Sequence, residues 1–138
     1  MQDRYMPLNK TIRKWIEYAQ NDLLVAKNLI KEEDYVNRAV LVHCQQSIEK
    51  YLKAYMLLHD LGLKKTHDLQ LLNNDCIQID SRFSSFDDEL NWLSSIYMKS
   101  RYPDDFEDYS KELALKGLDL AKRFEDFFFQ IIAEEENS

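Results

Sequence analysis

The residues of this chain best equipped for chemistry are its three histidines and the charged groups around them. His67 stands in Lys64-Lys65-Thr66-His67-Asp68-Leu69. There, ammonium groups and the N–H groups of a starting helix can converge on an anion such as phosphate. The competing reading of this run is local. Thr66 caps a short helix ending near Leu72, Asp68 sits in its first turn, and the lysines are solvated. His59 falls near the end of a long predicted helix, where a cation suits the dipole, and reads as structural. Arg38 and His43 are five positions apart, a step of about 140° on a regular helix, so they do not share one site.

A second polar feature is the helix His43–Ala54. On a wheel of about 100° per residue, Leu41, Cys44, Ile48, Tyr51, Leu52 and Tyr55 gather on one side. Gln46, Glu49, Lys50 and Lys53 gather on the other, with Gln45 and His43 on its shoulders. Glu49 and Lys53 make an i,i+4 ion pair in the favourable order, and Gln45 and Glu49 make an i,i+4 polar pair. Such a face is either simply solvated or holds a partner through its amides and ammonium groups.

Other chemistries are excluded by what the chain lacks. Two glycines leave no phosphate loop, dinucleotide fingerprint or nucleophile elbow, and there is no HExxH. Cys44 and Cys76 are too few and too distant for a metal motif, and Cys44 lies on the apolar face as a buried thiol. The acidic run Asp104, Asp105, Glu107 and Asp108 suits the positive end of a helix dipole and needs no metal. Neither a metal nor a cofactor is expected. A net charge of −7 and a pI near 4.9 argue against coating nucleic acid by bulk electrostatics, while leaving room for a local basic site. Met1 to Pro7 carries no apolar run for a signal peptide, and no segment is apolar for the ~18 residues of a membrane helix. The reading is a reduced, cytoplasmic protein that does not enter the membrane.

The elements that must position these groups are helical. With 138 residues, residues 1–138 make one domain, and two glycines and two prolines are too few for a many-stranded β fold. The first helix is expected from Asn9 or Thr11 to about Glu32, on the stripe Trp15, Ala19, Leu23, Ala26 and Ile30. The second runs from Tyr35 to Gly62, a left-handed terminator, and is the spine of the domain. Asn73 to Ser81 reads as irregular. A further helix spans Ser85 to Met98, capped by Ser85 or Asp87, and Pro103 breaks the chain after it. The last runs from about Asp108 to Glu134. Gly117 within it marks close packing against another helix. Phe124, Phe127, Phe128 and Phe129, with Ile131 and Ile132, cover more than one helix face, which predicts an oligomer contact.

Three segments taken in order carry a resemblance. They are Gln45-Gln46-x-x-Glu49-Lys50-x-x-Lys53-Ala54, Lys65-Thr66-His67-Asp68-Leu69 and Arg101-Tyr102-Pro103-Asp104. With Trp15-x-x-x-Ala19-x-x-Asp22-Leu23-x-x-Ala26 ahead of them, they look like the HEPN family over about residues 10 to 133. The resemblance implies an all-α, antiparallel up-and-down four-helix bundle with an additional short helix, forming a homodimer. It implies association with nucleotide or RNA and with a minimal nucleotidyltransferase partner, often as half of a toxin–antitoxin module. Some branches are metal-independent ribonucleases that use an arginine followed after four to six residues by a histidine at the start of the last helix. Here Arg101 is followed by Tyr-Pro-Asp-Asp-Phe-Glu-Asp-Tyr, with no histidine.

The expectation is therefore a non-catalytic HEPN protein. Lys65, His67 and Arg101 would meet anionic groups, and Gln46, Lys50 and Lys53 would supply hydrogen bonds or partner pairing. The alternatives are a ribonuclease toxin using Arg101 and His67, and a purely structural adaptor that docks another protein through its polar helix face.

Overall fold

The computed structural model describes residues 9–33, 36–102 and 109–137. Among them the regular elements are all helical: α1 Lys10–Leu29, α2 Asn37–Leu58, α3 Leu69–Ile79, a 3₁₀ helix Ser81–Phe86, α4 Asp87–Ser100 and α5 Lys111–Glu136. Asn9 caps α1, its side chain accepting from the Ile12 N–H at 2.8 Å. Ile12, Ile16, Ala19, Leu23 and Ala26 then bury one stripe of that helix. The helix stops at Leu29, short of the expected Glu32. Lys31 and Glu32 continue only as three-residue turns, on the carbonyls of Asn28 and Leu29.

α2 is the spine, about 33 Å long at 1.5 Å per residue, and packs against α1, α3, α4 and α5. It ends at Leu58, and its expected start at Tyr35 lies outside the described residues. The left-handed terminator is Asp60, at φ 62°, and not Gly62. The Leu61 N–H reaches back to the Met56 carbonyl at 2.9 Å and closes the helix end.

Side-chain contacts fix the helix directions. Ser47 of α2 donates to the Ala19 carbonyl, while Lys53 lies over Trp15, so α1 and α2 are antiparallel. Arg38 reaches Ser100 at one end of α4, and Glu89 near its other end meets Arg123 of α5. α1, α2, α4 and α5 thus alternate in direction, with α3 as the short extra helix.

α3 and its cap differ from the expectation. Asp68, not Thr66, caps the helix by accepting from the Gln70 N–H at 2.9 Å; the Thr66 hydroxyl accepts from Asp68 N–H. The helix continues through the Asn-rich segment to Ile79. Leu69, Leu72 and Cys76 are buried there, and the Asn73 amide donates to the Phe83 carbonyl at 3.1 Å. The cap before α4 is likewise neither Ser85 nor Asp87: Asp80 caps the 3₁₀ helix, which leads straight into α4. α5 begins at Lys111 behind Ser110, which accepts from Leu113 N–H. The acidic run at 104–108 lies outside the described residues.

The aromatic end of α5 packs within the chain. Phe124 and Phe128 are buried, and Phe83 and Phe86 of the 3₁₀ helix meet Phe124 and Phe127. Tyr51 takes Phe128 and Phe129. Each fully buried Phe contributes about 1.5–3 kcal/mol. The 3₁₀ segment covers much of the face that sequence left bare, while Phe127 and Phe129 remain half-buried. Gly117 packs as expected, since a Cβ there would come within 2.7 Å of Leu41 Cδ2. Among the described residues no helix is long and apolar enough to cross a membrane.

Candidate functional site

The site forms where the connection after α2 returns over that helix. Gln45, fully buried, donates its amide to the His67 carbonyl at 2.6 Å. The Ser94 hydroxyl of α4 faces the same carbonyl and accepts from the Leu69 N–H at 3.0 Å. These bonds hold the His67 backbone between α2 and α4. Its ring then meets Glu49, with Nδ1 3.0 and 3.1 Å from the two carboxylate oxygens. An ionised carboxylate only accepts, so Nδ1 carries the proton. Nε2 is left as a lone pair on a neutral ring and as a donor on a protonated one.

The same Glu49 holds Lys53 at 2.9 Å, and Lys53 Nζ lies 5.7 Å from the centre of the Trp15 ring. Glu49 and Lys53 are buried, whereas the His67 side chain is 52% exposed. The polar side of the α2 wheel is therefore not a solvated face. It is covered by α1 and by the His67 connection, and its charges neutralise one another internally.

Beyond His67 comes Tyr97 of α4, with ring centres 6.1 Å apart, and over Tyr97 lies the Arg101 guanidinium at 6.0 Å. Tyr97 is buried and Arg101 exposed. Arg38 reaches the same end of α4, its Nε donating to the Ser100 carbonyl at 2.9 Å. That contact satisfies a helix-end carbonyl with a cation. His43 turns instead to α1, its Nδ1 3.0 Å from Asp22, so Arg38 and His43 do diverge.

Of the six residues expected to bind, His67 and Arg101 share the Tyr97 ring and Lys65 stands exposed two positions before His67. Lys64 pairs with Asp75 at 2.9 Å. Gln46 is half-buried on α2. Lys50 is bound to Asp22 and Lys53 to Glu49, so both already hold internal partners. Sequence reading missed Tyr97, Gln45 and Ser94 as parts of the site. Ser94 and Tyr97 are three apart on α4, a spacing that puts them on one face, but an aromatic at that spacing reads as core.

Comparison with known proteins bears on this arrangement. The HEPN domain matches residues 12–132, nearly the whole chain and every helix just described. The chain belongs to the HEPN family. Two solved structures share its fold. TT1696 from Thermus thermophilus is 23% identical, with a TM-score of 0.73, over 93% of this chain and 99% of that one. ST0689, an archaeal HEPN homologue, is 20% identical with a TM-score of 0.70, over 88% of this chain and 97% of that one. Comparison with curated proteins yields no match.

Elsewhere this HEPN domain ties α2 to α5 through tyrosines. Tyr51 donates to Glu125, and Tyr55 donates to Glu135 at 2.9 Å, which also meets His59 at the α2 terminus. Burial first, then the Glu135 hydrogen bond, raises the Tyr55 phenol well above its usual range. Both thiols are pushed up to about 12 by burial; Lys122 partly opposes this at Cys44 and Asp75 adds to it at Cys76. They are inert packing groups. Among the described residues no three His, Cys, Asp or Glu side chains gather as a metal would need.

Proposed function

We propose that this HEPN protein is a non-catalytic module that binds a nucleotide or other phosphate-bearing ligand on its His67, Lys65 and Arg101 face. It works beside a minimal nucleotidyltransferase, as half of a toxin–antitoxin module, and as a homodimer. The observation that carries the ligand reading is the juxtaposition of His67, locked through Nδ1 onto buried Glu49, with the Arg101 guanidinium across Tyr97. The guanidinium and the nearby Lys65 ammonium are donors for an anion, and the His67 imidazole stands beside them with its Nε2 edge unused by Glu49. The chain also lacks a histidine in the stretch after Arg101.

Calorimetric titration with ATP and other nucleotides tests this, on the protein alone and with its partner. The expected result is saturable binding that weakens about tenfold on Arg101→Ala, the loss of one charge-assisted contact. No heat at millimolar ligand in either setting refutes it.

The Glu49–His67 pair also favours a second reading, since a histidine oriented by a carboxylate is suited to proton transfer. RNA incubation separates the two. Cleavage that disappears in both His67→Ala and Arg101→Ala would replace the binding reading with a ribonuclease.

A further inference from the structure

On the α1 side of α2 lies a cavity of about 510 Å³, lined by Lys10, Thr11, Lys14, Trp15, Tyr18 and Lys50. We propose that this cavity is a binding site for a small aromatic anion. Its volume is that of a typical small-molecule site. Trp15 and Tyr18 are three residues apart on α1 and so share a face, which gives the cavity two aromatic walls. Tyr18 is 54% exposed, a large ring that the core does not use.

Charge selects the sign of the guest. Three lysines contribute to the cavity wall, and two of them pair with carboxylates: Lys50 meets Asp22, and Lys14 meets Glu17 at 3.4 Å in an exposed pair. Lys10 has no carboxylate partner among the described residues, and it sits in the first turn of α1, at the positive end of the dipole. The cavity is thus locally positive on a chain of net charge −7. An aromatic face ordinarily repels anions because its quadrupole is negative. Lys10, whose charge meets no carboxylate among the described residues, offsets that repulsion. A neutral ring would gain only the stacking and an inorganic anion only the charge; an aromatic anion gains both.

The test uses the full chain carrying Trp92→Phe, which leaves Trp15 as its sole indole. The probes are 8-anilinonaphthalene-1-sulfonate and its uncharged relative N-phenyl-1-naphthylamine, followed by energy transfer from Trp15. The sulfonate should bind one to one and at least tenfold more tightly than the neutral dye. The double substitution Lys10→Glu/Lys14→Glu should weaken it at least tenfold. Both lysines are exposed, and circular dichroism confirms that the fold is kept. His67→Ala and Arg101→Ala should leave dye binding unchanged, which separates this site from the proposed phosphate face. Equal affinity for the two dyes, no effect of the charge reversal, or loss of binding on His67→Ala overturns the proposal.

Discussion

Replacing Glu49 by glutamine tests the physical core of the candidate site. The Glu49 and Lys53 side chains are 8% and 9% exposed, with ammonium and carboxylate 2.9 Å apart. Removing one partner of a buried pair leaves the other charge uncompensated, at about 3–5 kcal/mol. Glu49→Gln should fall at the lower end, about 3 kcal/mol, because the remaining exposure admits some water to Lys53. Lys53→Met should cost less, about 2 kcal/mol, because His67 Nδ1 still bonds the orphaned carboxylate. The double variant removes both charges and should cost only about 1–2 kcal/mol, a coupling of about 3–4 kcal/mol. Urea unfolding by circular dichroism reads these values. With a slope of about 2 kcal/mol/M, Glu49→Gln moves the midpoint by about 1.5 M. The exposed Arg123–Glu89 pair is the control, at about 0–1 kcal/mol. Single variants no costlier than that control, or costs that simply add in the double, would refute the reasoning.

Gly117→Ala should destabilise the wild type by about 1 kcal/mol, because overpacking against Leu41 outweighs a helix-propensity gain of about 1 kcal/mol. In a Leu41→Ala background the clash is gone and the same change should stabilise, a sign reversal that thermal melts detect. Cys44 and Cys76 titrate near 12 when folded and near 9 when unfolded, so stability present below pH 9 is lost as pH rises toward 12. The fall is about 1.4 kcal/mol per pH unit per thiol, and the double Cys→Ala variant should show a shallower alkaline slope in urea titrations from about pH 8 to 10.5. On the acid side, Arg82 holds Asp80 and Glu134 below the usual carboxylate range. Their contribution is present above the ordinary carboxylate pKa and lost as pH falls through the depressed values. Melting temperatures of Arg82→Ala should therefore depend less on pH between about 4.5 and 2.5 than those of the wild type.

How legible these features were in the sequence depends on the range of the interactions behind them. α1 was readable from Asn9 and a clean apolar stripe, both local signals. The second half of α3 was not, because Asn73, Asn74 and Asp75 disfavour helix. Their helix is stabilised by bonds that cross to the 3₁₀ segment and α4. Gly62 drew the left-handed assignment that Asp60 holds, since type alone favours glycine by sterics. Lys65, His67 and Arg101 could be named from motif order. Nothing along α2 could reveal that its polar side is covered, because the covering groups lie 18 or more residues away. The intramolecular cover of the aromatic end of α5 was hidden for the same reason: Phe83 and Phe86, which pack on it, sit in a 3₁₀ segment rather than an amphipathic α-helix.

The doubly held carbonyl of His67 has a consequence for whatever docks there. Backbone and ring are each anchored, one to Gln45 and Ser94 and the other to Glu49. A guest recruiting this imidazole meets a side chain whose rotamer is already chosen. It avoids most of the ordering penalty of about 0.5–1.5 kcal/mol that a loose side chain imposes on association. Lys65, exposed on the same connection and without such anchors among the described residues, still carries that penalty. For the proposed ligand, selectivity at this face would come from the fixed imidazole, with the lysine contributing mainly attraction at a distance.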